Sequence, residues 1–139
     1  MITPLCLQRN KSMCKAAAIV LLLADLITIP QLRPLLWQMV EDAGNGFRDM
    51  EEAGFLTVHE GQFAIVRWSP AGEAFTGRWY GRVPAGVLAI VHTHPNWQPM
   101  PSTIDARTAT QTGLPVYVLT PASITKTNGG EPQIVGHIR

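Results

Sequence analysis

His92 and His94 close a continuous apolar run, Val87-Leu88-Ala89-Ile90-Val91. In extended backbone the side-chain period is two, so both imidazoles leave the same face and can grip one ion. Seven residues, three of them proline (Pro95, Pro99 and Pro101), separate His94 from Ser102, and Asp105 follows three positions later. Prolines stiffen that loop by fixing φ, which brings Asp105 back toward the imidazoles. Two imidazoles and one carboxylate make a three-ligand zinc site with a fourth position open to water, the form that catalytic sites take. A structural site closes its sphere with a fourth protein ligand, usually cysteine, and Cys6 and Cys14 both precede the body of the chain. Ligand type alone also admits manganese, iron or nickel.

Water activated in this way needs a base to carry its proton to a leaving amine. Glu51, Glu52, Glu60 and Glu73 lie upstream of the histidines. Glu51 stands just before Gly54-Phe55-Leu56, at the start of an expected strand, whereas Glu60 reads as a hairpin tip. Glu52 is the rival of Glu51, since a one-residue change of register turns it inward. Spacing leaves that choice open. Ser102-x-x-Asp105 is also a near capping box, and the two readings are compatible, because a capped helix presents its aspartate rigidly. His59 and His137 lack partners at ligand spacing and read as surface or edge residues. Trp37, Trp68 and Trp79 read as packing. Trp97, inside the proline loop, either shields the ion, contacts substrate or packs the loop.

Elements must hold these groups in place. Leu32, Leu35, Leu36, Met39, Val40 and Ala43 recur with helical spacing, which predicts a helix over 31–43, ended by Gly44 and Gly46. Phe55–His59 and Gln62–Trp68 read as strands joined by a tight Glu60-Gly61 turn. Residues 74–80 suggest a third strand weakened by Gly77, and Val87–Val91 a strand buried on both faces. A second helix runs from Ser102 to about Gln111, stopped by Gly113 and Pro115. Val116–Thr120 and, after Asn128-Gly129-Gly130, Ile134–Ile138 complete the set. This order predicts an α/β domain with a mixed, mostly antiparallel sheet flanked by helices.

With 139 residues the chain has room for one domain. A hydrophobic content of 46% argues against disorder, and a net charge of +1 leaves no basic excess for phosphate contacts, which excludes nucleic acid as an expected partner. Residues 1–30 form a separate basic and apolar segment: Arg9, Lys11 and Lys15 precede the apolar stretch Ala16–Ile29, interrupted by Asp25. That is the layout of a signal peptide without a small-x-small cleavage site, and Asp25 shortens it below a bilayer span. Export, membrane association and a buried helix all stay open for it, and so does a cytoplasmic location. The body is expected over 31–139.

These residues resemble the JAMM, or MPN-type, zinc metallopeptidases, including their prokaryotic JAB-like members. The resemblance lies in Glu51-Glu52-Ala53-Gly54, His92-Thr93-His94-Pro95 and Ser102-Thr103-Ile104-Asp105, which fill a Glu-x-x-Gly, His-Ser/Thr-His-Pro, Ser-x-x-Asp pattern, and it spans roughly residues 31–125. It implies a cytidine-deaminase-like core, a Zn2+ ion held by His92, His94 and Asp105, Glu51 as the acid/base for the ion's water, and Ser102 hydrogen-bonded to that water or to the oxyanion. It further implies hydrolysis of peptide or isopeptide bonds in a peptide or protein substrate, ubiquitin-like conjugates among them. The short tail after Asp105 leaves little room for the insertions with which chain-specific relatives clasp ubiquitin. The alternative is a non-catalytic MPN-like interaction scaffold, whose expected mark is a lost ligand or glutamate; none is lost here. A zinc nucleobase deaminase lacks its paired cysteines.

Overall fold

The apolar spacing of residues 31–43 matures into helix α1, Arg33–Asp42, whose Leu36, Met39 and Val40 are buried. In this computed structural model the described residues are 25–48, 50–68, 79 and 81–138. Two 3-10 turns, Leu26–Thr28 and Pro30–Leu32, lead into α1, and Pro34 sits in its first turn, where the missing N–H costs nothing. Strands β1 (Ala53–His59) and β2 (Gln62–Arg67) form a hairpin closed on the pair His59 and Gln62. Its turn residues, Glu60 and Gly61, both have positive φ, 49° and 77°, the geometry whose twist matches flanking strands.

Strand β3 (Val87–Thr93) is followed by the proline loop and helix α2 (Thr103–Thr112), then β4 (Val116–Leu119), β5 (Ile124–Thr127) and β6 (Gln133–Gly136). The six strands make one sheet in the order β2-β1-β3-β4-β5-β6. Only β3 and β4 pair parallel; the other four pairings are antiparallel. The parallel pair requires a crossover, and α2 supplies it. One face of the sheet packs Leu56, Val91, Tyr117 and Leu119 against α1, and the other packs Phe55, Ile90 and Val116 against Ala109 of α2. Strand β3 is therefore covered on both sides, as its unbroken apolar run requires.

The α/β architecture is the one expected, with three corrections. β3 extends beyond Val91 through His92 and Thr93, so one histidine is inside the sheet. Strand β5 went unforeseen, because Ile124-Thr125-Lys126-Thr127 is short and half polar; its burial comes from pairing with β4 and β6. The final strand occupies Gln133–Gly136 rather than Ile134–Ile138. Of the strand expected over 74–80, only Trp79 is described, and it lies outside any strand. The basic and apolar residues 1–24 lie outside the described residues, so the expectations placed on them are not addressed. No helix among the described residues is long and apolar enough to cross a membrane.

Candidate metal centre

The site forms where the C-terminal end of β3, the start of β1 and the N-terminus of α2 meet. His92, inside β3, pairs across the sheet with Ala53, so their side chains share a face. Two residues before Ala53 the strand period returns Glu51 to that same face. His94 follows directly after β3, and the two imidazole rings lie with centroids 4.8 Å apart at 67°. Donor atoms of Glu51, His92 and His94 all lie within 4.8 Å of one another. Glu52 points the other way. Its Oε2 accepts from Arg67 at 2.9 Å, while Arg67 also donates to Asp42 at 2.9 Å. Its backbone is clamped to Thr93, whose N–H donates to the Glu52 carbonyl at 2.9 Å and whose Oγ1 accepts from the Glu52 N–H at 3.0 Å. Gly54 completes this approach, because a Cβ there would stand 2.6 Å from Ile65 Cγ2 and 2.9 Å from the Val66 carbonyl oxygen.

Asp105 arrives from α2. Ser102 is the N-cap, its Oγ accepting from the Asp105 N–H at 3.2 Å. Asp105 Oδ2 in turn accepts from the Ser102 N–H at 2.6 Å and from Ser102 Oγ at 2.9 Å, a closed capping box. This occupies Oδ2 and leaves Oδ1 directed at His92, whose Nε2 is 2.9 Å away; His94 Nε2 is 3.6 Å from Oδ2. The expected convergence of the proline loop is therefore real. The His94 Nδ1 lies 3.0 Å from the Gln98 carbonyl oxygen, which can only accept, so Nδ1 carries a proton and in the neutral ring Nε2 is the nitrogen left with a lone pair.

The donor set fits a cation. His92 Nε2 is sealed from solvent and has no partner of hydrogen-bonding geometry, despite its closeness to Asp105. Ligands about 2.0–2.2 Å from a tetrahedral zinc stand about 3.4 Å from each other. His92 Nε2 stands 2.9 Å from Asp105 Oδ1, short of that value, and His94 Nε2 stands 3.6 Å from Oδ2, the oxygen held by the capping box. A buried imidazole nitrogen and a carboxylate oxygen this close, without hydrogen-bonding geometry between them, are what a shared cation satisfies.

Electrostatics separate the two carboxylates. Burial would raise the Asp105 carboxyl, but the adjoining imidazoles of His92 and His94 and the Ser102 N–H hold it well below the usual carboxylate range. Burial dominates at Glu51 and raises its carboxyl, with Asp105 adding to the rise and the imidazoles opposing it. At His94 burial works against the charged ring, yet the contact with Asp105, the charge of Glu51 and the Gln98 carbonyl leave it raised. Carboxylates driven apart in this way are suited to distinct roles, one as a fixed anion and one as a proton carrier.

Trp97 is 45% exposed, with its indole against Gly46 and at 6.1 Å, edge on, from the ring of Phe47. Trp68 and Trp79 pack on Phe55, each with a centroid separation of 5.2 Å. His59 and His137 are exposed and away from the cluster. Reading the sequence missed Arg67, Gln98 and Phe47. Arg67 was within reach of the hairpin register, which sets it opposite Gly54; Gln98 and Phe47 act through loop conformations that no periodicity encodes.

A family model of prokaryotic homologs of the JAB domain matches residues 32–132. No curated protein and no solved structure matches the chain. The matched span covers both helices, strands β1 to β5 and all of Glu51, His92, His94, Ser102 and Asp105, and by it the chain belongs to the JAB/MPN family, among its prokaryotic JAB-domain members.

Proposed function

We propose that this protein is a zinc-dependent hydrolase of peptide or isopeptide bonds, with His92, His94 and Asp105 holding the metal and Glu51 acting as general acid/base. The observation that carries this reading is a convergence: His92 Nε2 is sealed from solvent and 2.9 Å from Asp105 Oδ1, and donor atoms of Glu51, His92 and His94 lie within 4.8 Å of one another. A bound zinc ion supplies Lewis acidity, polarising a carbonyl and lowering the pKa of water toward about 7. The chain's own residues do the rest. Gln98 fixes the tautomer that leaves His94 Nε2 free, and Ser102 fixes the rotamer of Asp105. Glu51, whose carboxyl is raised by burial, takes a proton from the attacking water and delivers it to the leaving amine. The Ser102 hydroxyl gives its one proton to Asp105 Oδ2, so it meets that water through its remaining lone pair as an acceptor, and a bond to the developing oxyanion would need it to leave Asp105. The substrate is a peptide or protein, and Trp97 contacts it.

Glu51→Gln is the decisive variant. It is expected to bind one zinc per chain at neutral pH, as the parent does, and to lose about 10²–10⁴-fold in peptide hydrolysis. Metal content by atomic emission and turnover of a quenched-fluorescence peptide read the two separately. A parent protein that takes up no zinc overturns the metal centre, and one that takes up zinc but cleaves nothing leaves the scaffold reading in its place.

A further inference from the structure

Exposed large apolar side chains are not scattered evenly over this molecule. Of seven among the described residues, five (Phe47, Met50, Trp97, Met100 and Ile104) belong to segments that carry or adjoin the metal centre. Met50 precedes Glu51, Trp97 and Met100 lie between His94 and Ser102, and Ile104 precedes Asp105. Phe47 joins them by its edge contact with Trp97.

The Trp97 and Phe47 pair is built rather than incidental. Asn96 and Trp97 both have left-handed φ, 56° and 57°, a conformation non-glycine residues hold only where the surroundings impose it. Gly46 imposes it here. Its carbonyl accepts from the Asn96 N–H at 3.0 Å, and its missing side chain seats the indole, since a Cβ would stand 2.7 Å from Trp97 Cδ1. Held in this conformation, Trp97 stays 45% exposed and Phe47 82%. The backbone presents the aromatic surface to solvent. Residues 43–47 and 93–104 contain no Lys, Arg, Asp or Glu, and the charge that borders them is Arg48, whose side chain lies against Gly44. An apolar side chain settling on the two rings gains contact area, whereas a charged one loses hydration against them.

We propose that Phe47 and Trp97 form a substrate subsite that takes a bulky, uncharged apolar side chain flanking the cleaved bond. The substrate class is then peptides with such a residue beside the scissile amide. This rests on the hydrolase reading above, and the test separates the two.

Fluorescein-labelled dodecapeptides carrying Leu, Phe, Gly, Lys or Glu at their two central positions are titrated by anisotropy against the zinc-loaded Glu51→Gln protein. The Leu and Phe peptides are expected to bind about 10-fold more tightly than the Lys and Glu peptides. Adding Phe47→Ser, a change at a solvent-facing side chain that leaves the fold and the zinc affinity intact, is expected to erase most of that preference. Equal binding of all peptides, no binding of any, or a preference that survives Phe47→Ser overturns the subsite. Parent protein that cleaves peptides with no apolar preference also overturns it and leaves the hydrolase standing. Preferential binding without cleavage by the parent protein does the reverse.

Discussion

The Ser102 hydroxyl donates to Asp105 Oδ2 and accepts from the Asp105 N–H, so one small side chain both closes the first turn of α2 and aims a carboxylate at His92. The two effects have different magnitudes. Loss of an N-cap costs about 1 kcal/mol of stability. Loss of a hydrogen-bond partner behind a metal ligand costs roughly 10- to 100-fold in metal affinity. Ser102→Ala is therefore expected to weaken zinc binding by about that factor in a chelator competition, while lowering stability by only about 1 kcal/mol in urea. Unchanged zinc affinity with the same stability loss would reduce Ser102 to a cap. The Ser-x-x-Asp spacing made the capping box legible in the sequence, and with it the rigid presentation of Asp105. The tautomer of His94 was not visible, since it depends on the Gln98 carbonyl, a backbone group that any residue could offer.

Secondary-structure elements decide which glutamate faces the histidines. Thr93 clamps the backbone of Glu52, and β2 carries Arg67 to the far side of the sheet, where it holds the Glu52 carboxylate at 2.9 Å. Half-exposed ion pairs of this kind contribute about 0–1 kcal/mol each, and the Arg67 side chain is 30% exposed. Arg67→Gln is expected to cost no more than about 1 kcal/mol in stability, yet to lower kcat by about 10-fold with KM little changed, because Glu51 loses its fixed approach. A loss of several kcal/mol with kcat per folded molecule intact would make Arg67 purely structural. Strand period and the hairpin turn Glu60-Gly61 were legible, and they already imply the pairing of Gly54 with Arg67. The choice between Glu51 and Glu52 was not, because it needs the register of β1 against β3, a contact between segments some forty residues apart whose alignment no local pattern states. β5 was lost for the same reason: its four residues become a strand only when β4 and β6 are beside them.

At the scale of the whole molecule, the described chain is tied together at the end remote in sequence from the metal centre. Asp25, which in the sequence only interrupts an apolar stretch, caps the 3-10 turn at Ile27, accepts from the buried Tyr117 hydroxyl at 2.7 Å and pairs with Lys126 at 2.9 Å. One carboxylate thus joins the segment before α1 to β4 and β5, across more than ninety residues. Burial pushes its carboxyl up, but Lys126, the Ile27 N–H and the Tyr117 hydroxyl outweigh burial and hold it below its usual 3.8. Burial, together with the same contact with Asp25, pushes the Tyr117 hydroxyl up, which keeps it a donor throughout the physiological range. A carboxyl depressed by folding binds fewer protons folded than unfolded, so its contribution is present above pH 3.8 and is lost as pH falls through the lower folded value. Asp25→Asn keeps the shape, removes the charge facing Lys126 and replaces one acceptor oxygen by a donor. It is expected to lower stability by about 2 kcal/mol at pH 7, the worth of hydrogen bonds to a charged group. In urea unfolding the gap between parent and variant should shrink on acidification below pH 3.8, because the parent's carboxyl then becomes neutral as well. A gap that is constant from pH 7 to below 3.8 would mean that Asp25 acts by shape alone, and that its charge does not hold the segment before α1 on the sheet.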